Sequence, residues 1–97
     1  MAIMFNPPHP GVLVKESIEA LNLSARALAH KLGVAPSTVQ RLITGKSDVS
    51  PEMAIRLAAV IGSSEQVWMG MQTDYDLWHA RQHIDVTSLH RMVIASV

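Results

Sequence analysis

A chain of 97 residues has room for one compact domain and not for two, and its small buried fraction invites help from a second copy. Hydrophobic residues make up 48% and charged residues 16%, which excludes a mainly disordered chain, and the absence of cysteine excludes a disulfide scaffold or a cysteine zinc site. Eight Lys plus Arg against eight Asp plus Glu leave the chain formally neutral, which argues against a non-specific electrostatic binder of nucleic acid.

Residues 1–10 form a lead-in whose Pro7, Pro8 and Pro10 forbid regular helix. Its first eight residues lack the layout of a signal peptide, and no stretch of the chain approaches 18 consecutive apolar residues. The expectation is a cytoplasmic protein with no membrane partner. His9 is either a surface residue or part of an initial cap; with no ligand cluster around it, it is not read as a metal site. A first helix is expected from Pro10 or Gly11 to about Leu21, with Leu13, Val14, Ile18 and Leu21 inward and Lys15, Glu16 and Glu19 outward. Asn22 closes it, Leu23 enters the core, and Ser24 is a good N-cap for the next helix.

Residues 24–46, SARALAHKLGVAPSTVQRLITGK, predict two short helices around a sharp corner. Ala25, Leu28, Ala29 and Leu32 recur at helical spacing, with Arg26, His30 and Lys31 opposite. Ala29 permits close approach of two helices, Gly33 supplies the corner, and Val34 plugs back into the core. Pro36 suits the first turn of the second helix, which Val39, Leu42 and Ile43 hold to the core. Ser37, Thr38, Gln40, Arg41 and Thr44 are left on the exposed side, with Lys46 after Gly45 near the phosphate backbone. A plain helical hairpin would explain the apolar positions equally well. It would not explain why the exposed start of the second helix lacks the acidic residues that the helix dipole favours and offers Ser, Thr, Gln and Arg instead. The pattern therefore predicts a helix-turn-helix reader of DNA, with Ala29, Gly33, Val34 and Val39 as its inner core.

Ser50, Pro51 and Glu52 predict the entry of a fourth helix, whose apolar side is Met53, Ile55, Leu57, Ala58 and Ile61 and which stops at Gly62. Ser63 with Gln66 resembles a capping box for a fifth helix over residues 65–82, along which Val67, Trp68, Met71, Tyr75 and Trp78 recur at three- and four-residue spacing, with Leu77 alongside. Trp68 reads as core, whereas Trp78 is open between core and a dimer or partner surface. His79 and His83 stand four apart but lack further ligands, so no metal is assigned. No paired carboxylates, phosphate-cradling loop or nucleophile elbow occurs, so neither an enzyme nor a cofactor is expected. The tail is apolar at Ile84, Val86, Leu89, Met92, Val93 and Ile94. It reads equally as a short helix capped by Asp85 or as a strand, and is expected to fold back or to cover a partner.

Charge is uneven along the chain. Residues 1–50 hold five Lys or Arg against three Asp or Glu, and residues 51–97 hold three against five. The basic half contains the reader. An excess this modest implies weak, salt-sensitive binding by one copy and points to two copies on a two-fold operator.

Three stretches, PPHPGVLVKESI, LNLSARALAHKLGVAPSTVQRLITGKSDVSPEMAIRLAAVIGSS and EQVWMGMQTDYDLWHAR, together resemble the HigA-type antitoxins, or addiction-module antidote proteins. These belong to the lambda-repressor-like (XRE) helix-turn-helix family, and the likeness runs from residue 7 to about 82. The resemblance implies an all-α, five-helix DNA-binding domain that acts as a homodimer on an inverted-repeat operator in its own promoter. It also implies silencing of a toxin similar to the RelE-type messenger-RNA endonucleases. Residues 1–9 would be the lead-in, 10–82 the domain and 83–97 a tail that the distinctive motifs do not cover. From their apolar and aromatic character, Trp78 of the fifth helix and Leu89, Met92 and Ile94 of the tail are the candidates for dimer or partner contact. The reading helix would span residues 35–44, with Ser37, Thr38, Gln40 and Arg41 as contacts. Ser24 stands where many relatives carry a phosphate-reaching Gln, which implies a looser hold by the first helix of the motif. A stand-alone regulator without a toxin, or a module that works mainly by protein contact, would present the same sequence.

Overall fold

Most helix ends of this chain are bounded by residues that satisfy their free backbone groups. The computed structural model describes residues 6–93, and among them the chain is all-α, with five helices and no strand. These are α1 (Pro10–Ala20), α2 (Ala25–Leu32), α3 (Pro36–Ile43), α4 (Pro51–Val60) and α5 (Glu65–Arg81). Side-chain caps open four of them: His9 Nδ1 accepts from Gly11 N at 2.9 Å, Ser24 Oγ from Ala27 N at 3.0 Å, and Ser50 Oγ and Ser64 Oγ from Met53 N and Val67 N at 3.1 Å. The first three helices each end on a left-handed residue, Asn22 (φ 56°), Gly33 (φ 74°) and Gly45 (φ 77°). After each, the next amide turns back five residues: Leu23 N to Ile18 O, Val34 N to Ala29 O, Lys46 N to Arg41 O. That pairing satisfies the last carbonyls and fixes the direction of exit.

The cap of α5 differs from the expected one. Ser63 adopts φ 63°, outside the extended geometry that an N-cap requires, and Ser64 (φ −118°, ψ 161°) takes the role. Gln66 then falls one position short of a capping box.

One cluster forms the core: Val14 and Ile18 of α1, Leu28, Ala29 and Leu32 of α2, Val39 and Leu42 of α3, Met53, Ala54 and Leu57 of α4, Trp68 of α5, and Val49 from the loop before α4. Trp68 is its largest member, and its indole Nε1 donates to Gly62 O at 2.9 Å, so a polar end is satisfied where the ring is buried. Each large side chain enclosed in this way contributes about 1.5–3 kcal/mol.

Four expected core residues lie outside it. Leu21 (58% exposed) follows the last residue of α1 and is thrown outward by the turn at Asn22. Leu13 (37% exposed) sits one residue, or about 100°, off the Val14–Ile18 stripe. Ile55 (53% exposed) and Val67 (49% exposed) are displaced in the same way from the stripes of Met53, Ala54 and Leu57 and of Trp68 and Gln72. Runs of adjacent apolar residues overfill a helix face, and only one register can be buried.

Beyond α5, residues 84–93 are neither helix nor strand and are exposed throughout. Asp85 does act as a cap, but of a turn: its Oδ1 accepts from Thr87 N at 2.9 Å and from Thr87 Oγ1 at 2.8 Å, and Leu89 N donates to Val86 O at 3.0 Å. These bonds hold the Asp85 carboxyl below its ordinary value of 3.8, the backbone bond contributing most. Ile94 lies outside the described residues.

Candidate nucleic-acid interface

The corner between α2 and α3 follows from five residues. Ala29 is fully buried where the helices approach, Gly33 takes the left-handed turn, half-buried Val34 packs on the core, and Val39 and Leu42 clamp the inner side of α3. From α4, Arg56 Nη1 donates to Leu32 O at 2.7 Å, and its Nη2 donates to Glu52 Oε2 at 2.9 Å. A guanidinium thus completes the end of α2 where the chain turns, favourable also for the negative end of that helix.

With Val39 and Leu42 inward, α3 turns Ser37, Gln40 and Arg41 to solvent, and Thr38 is half-buried beside them. Thr38 and Arg41 line a shallow cleft of about 270 Å3 with Ser47 and Asp48. The start of α3 has Ala35 as its N-cap, with no side-chain cap bond and no acidic residue in its first turn, so its positive end is open to an incoming anion. Lys46 is exposed just past the other end, placed there by its backbone bond to Arg41 O at 2.8 Å. Thr44 is placed differently from the others. Its single hydroxyl proton lies against Gln40 O at 2.9 Å and Arg41 O at 3.2 Å, so donation to any outside group would cost it a helix bond.

The loop after α3 is held from behind by residues whose role sequence spacing did not disclose. His9 is buried; because its Nδ1 accepts from Gly11 N, its Nε2 carries the proton and donates to Asp48 Oδ1 at 3.3 Å. Tyr75 packs edge-on against the same ring, with centroids 4.9 Å apart. Gln72, buried in α5, accepts from Val49 N through Oε1 at 2.8 Å and donates through Nε2 to Asp76 Oδ1 at 2.9 Å. Gly11 lets α1 touch α3: a Cβ there would run into the carbonyl of Leu42. The only sequence signals were a histidine before a helix-starting proline and a polar residue four places after Trp68.

Of the other expected contacts, Trp78 is half-buried and edge-on to His79 at 5.2 Å, while Leu89 and Met92 are exposed in the tail. Among the described residues no group of His, Cys, Asp or Glu is arranged to hold a metal ion, and no helix is long and apolar enough to cross a membrane.

A family profile described as helix-turn-helix matches residues 14–68. The chain is 47% identical over 90 residues to the Escherichia coli protein YddM, an uncharacterized HTH-type transcriptional regulator, across 93% of this chain and 96% of that one. It is 37% identical over 76 residues to antitoxin HigA-1 of Vibrio cholerae, across 77% of this chain and 71% of that one. Among solved structures it is similar to antitoxin GraA in complex with its operator, with a TM-score of 0.85 and 33% identity over 97% of this chain and 99% of that one.

Proposed function

Since the chain belongs to the helix-turn-helix family and has the fold of its HigA-type antitoxins, we propose that it is a dimeric, operator-binding repressor and the antitoxin of a toxin–antitoxin pair. The relatives compared above are named as a transcriptional regulator and as antitoxins, and none as an enzyme. The observation that carries the reading is the outward face of α3, where an uncapped helix start, Ser37, Gln40 and Arg41 form one polar surface with Lys46 beyond it.

In this reading α3 enters the major groove. Arg41 pairs with the O6 and N7 of a guanine, Gln40 with the N6 and N7 of an adenine, and Ser37 and Thr38 touch base edges or phosphate. Lys46 contacts the backbone, and Thr44 serves chiefly to finish the helix. Two copies place their reading helices about 34–36 Å apart on successive faces of an inverted repeat, and bound dimer blocks transcription. Residues 10–82 carry the DNA-binding function and residues 83–97, with Trp78, the protein contacts. The toxin it would silence is RelE-like.

Gel-shift titration of Gln40→Ala and Arg41→Ala against promoter and scrambled DNA tests the base-reading role. Each is expected to lose about 1–3 kcal/mol on the promoter and little on scrambled DNA. An unchanged specificity ratio would sink it. The name of the Escherichia coli relative favours a second reading, a regulator without a toxin. Co-expression with the products of adjacent genes separates the two, since only the antitoxin co-purifies with a small basic protein.

A further inference from the structure

We propose that the cleft between the start of α1 and the middle of α5 receives the C-terminal segment of a second copy of this chain, so that two copies exchange arms. This rests on the dimer of the proposed function and assigns its contact surfaces.

The cleft measures about 390 Å3, and Pro8, Val12, Leu13 and Met71 give it an apolar lining. Val12 and Leu13 remain substantially exposed there, although both belong to a helix whose other face is in the core. The acidic Glu16 and Asp74 also line it, both open to solvent. Such a site is sized for a few side chains of an extended segment, not for a folded domain. Its negative charge excludes the DNA backbone as occupant.

The complementary surface is present on the same chain. Ile84, Val86, Leu89, Met92 and Val93 are each more than half exposed, and Arg91 stands among them. Apolar residues on this segment match the lining, and the positive charge of Arg91 is complementary to the negative charges of Glu16 and Asp74. The turn tied by Asp85 and Thr87 orders residues 85–89 before the segment docks, which lowers the entropy cost of binding that part. None of residues 84–93 is buried against its own domain. Two copies related by a two-fold axis cover both cleft and segment twice over, with identical contacts on each side.

The chain has no cysteine, so an engineered pair reports this contact cleanly. Full-length Leu13→Cys and full-length Met92→Cys are mixed and mildly oxidised. A two-chain disulfide product several times more abundant than in either variant alone is expected. Closure only within one chain in the Leu13→Cys/Met92→Cys double variant, or equal pairing of Leu13→Cys with itself, overturns the exchange. In parallel, sedimentation of full-length Arg91→Glu should show a dimer about five- to tenfold weaker, and adding Glu16→Lys and Asp74→Lys should restore it to within about twofold. A wild-type dimer whose strength is unchanged by Arg91→Glu overturns the arm contact while leaving the dimer reading intact. A wild-type chain that stays monomeric with and without promoter DNA overturns both.

Discussion

Two glycines in this chain do different work, and substitution separates them. Gly11 lies where α1 crosses the end of α3, and Gly11→Ala would drive a Cβ into the carbonyl of Leu42. Backbone cannot swing aside as a flexible side chain can, so we expect a loss of about 1–3 kcal/mol in urea unfolding and a weakened promoter complex, because α3 itself is displaced. Gly45 has open space around its Cβ position, and its cost is conformational alone, at φ 77°. Gly45→Ala should lose about 1–2 kcal/mol, recovered in part by Gly45→Asn, which tolerates the left-handed region. Equal effects of Gly45→Ala and Gly45→Asn would contradict this account. Asp85 offers a pH reading at the same scale. Its folded value is lowered, so the turn it ties is fully formed above the ordinary value of 3.8 and is lost as pH falls through the lower, folded value. The Thr87 amide resonance should therefore titrate with a midpoint below 3.8. A midpoint above 3.8 would contradict the Asp85 bond as its cause.

At the scale of elements, the loop between α3 and α4 is the part of the reader that the core does not hold by itself. Only Val49 of that loop is in the hydrophobic cluster, and its amide is satisfied by a side chain from α5, 23 residues away. Gln72→Met keeps the volume and removes the acceptor. The orphaned amide should cost about 1–3 kcal/mol, and promoter affinity should fall with little change in specificity, since Lys46 is loosened while Gln40 and Arg41 keep their helix. Urea midpoints and promoter titrations check both, and an unchanged midpoint would show the bond to be dispensable. The motif helices were legible in sequence because Ser24, Gly33, Pro36 and Gly45 act locally, each on its own turn of backbone. The ties to His9 and Gln72 were not. They join residues far apart in sequence, and a buried histidine or glutamine has the same letter as a solvated one.

For the whole molecule, formal neutrality sets the expected strength of binding. With Arg41 and Lys46 as the proposed DNA-facing cations of each copy, the salt dependence of promoter affinity should be shallow for one copy and about doubled for a dimer. Lys46→Ala should weaken binding to all sequences alike and lower the slope of log affinity against log salt by about one unit for each phosphate no longer neutralised. A change in specificity with the slope unchanged would move Lys46 from the backbone to the bases. The tail belongs to this scale as well. Its apolar pattern was evident, yet neither the helix nor the strand it suggested is formed in residues 84–93, because a segment without a surface of its own chain to pack on gains nothing from regular structure.

Sequence by itself determined the five helices, the corner at Gly33 and the outward set on α3, since capping residues and apolar spacing act within a turn or two of backbone and leave little choice. Tertiary structure alone decided which of two neighbouring apolar residues is buried, where Val14 is taken and Leu13 left out. It also decided that His9, Arg56 and Gln72 brace the reader from behind. Burial is a competition among all the helices for one interior, and its outcome depends on where the others lie.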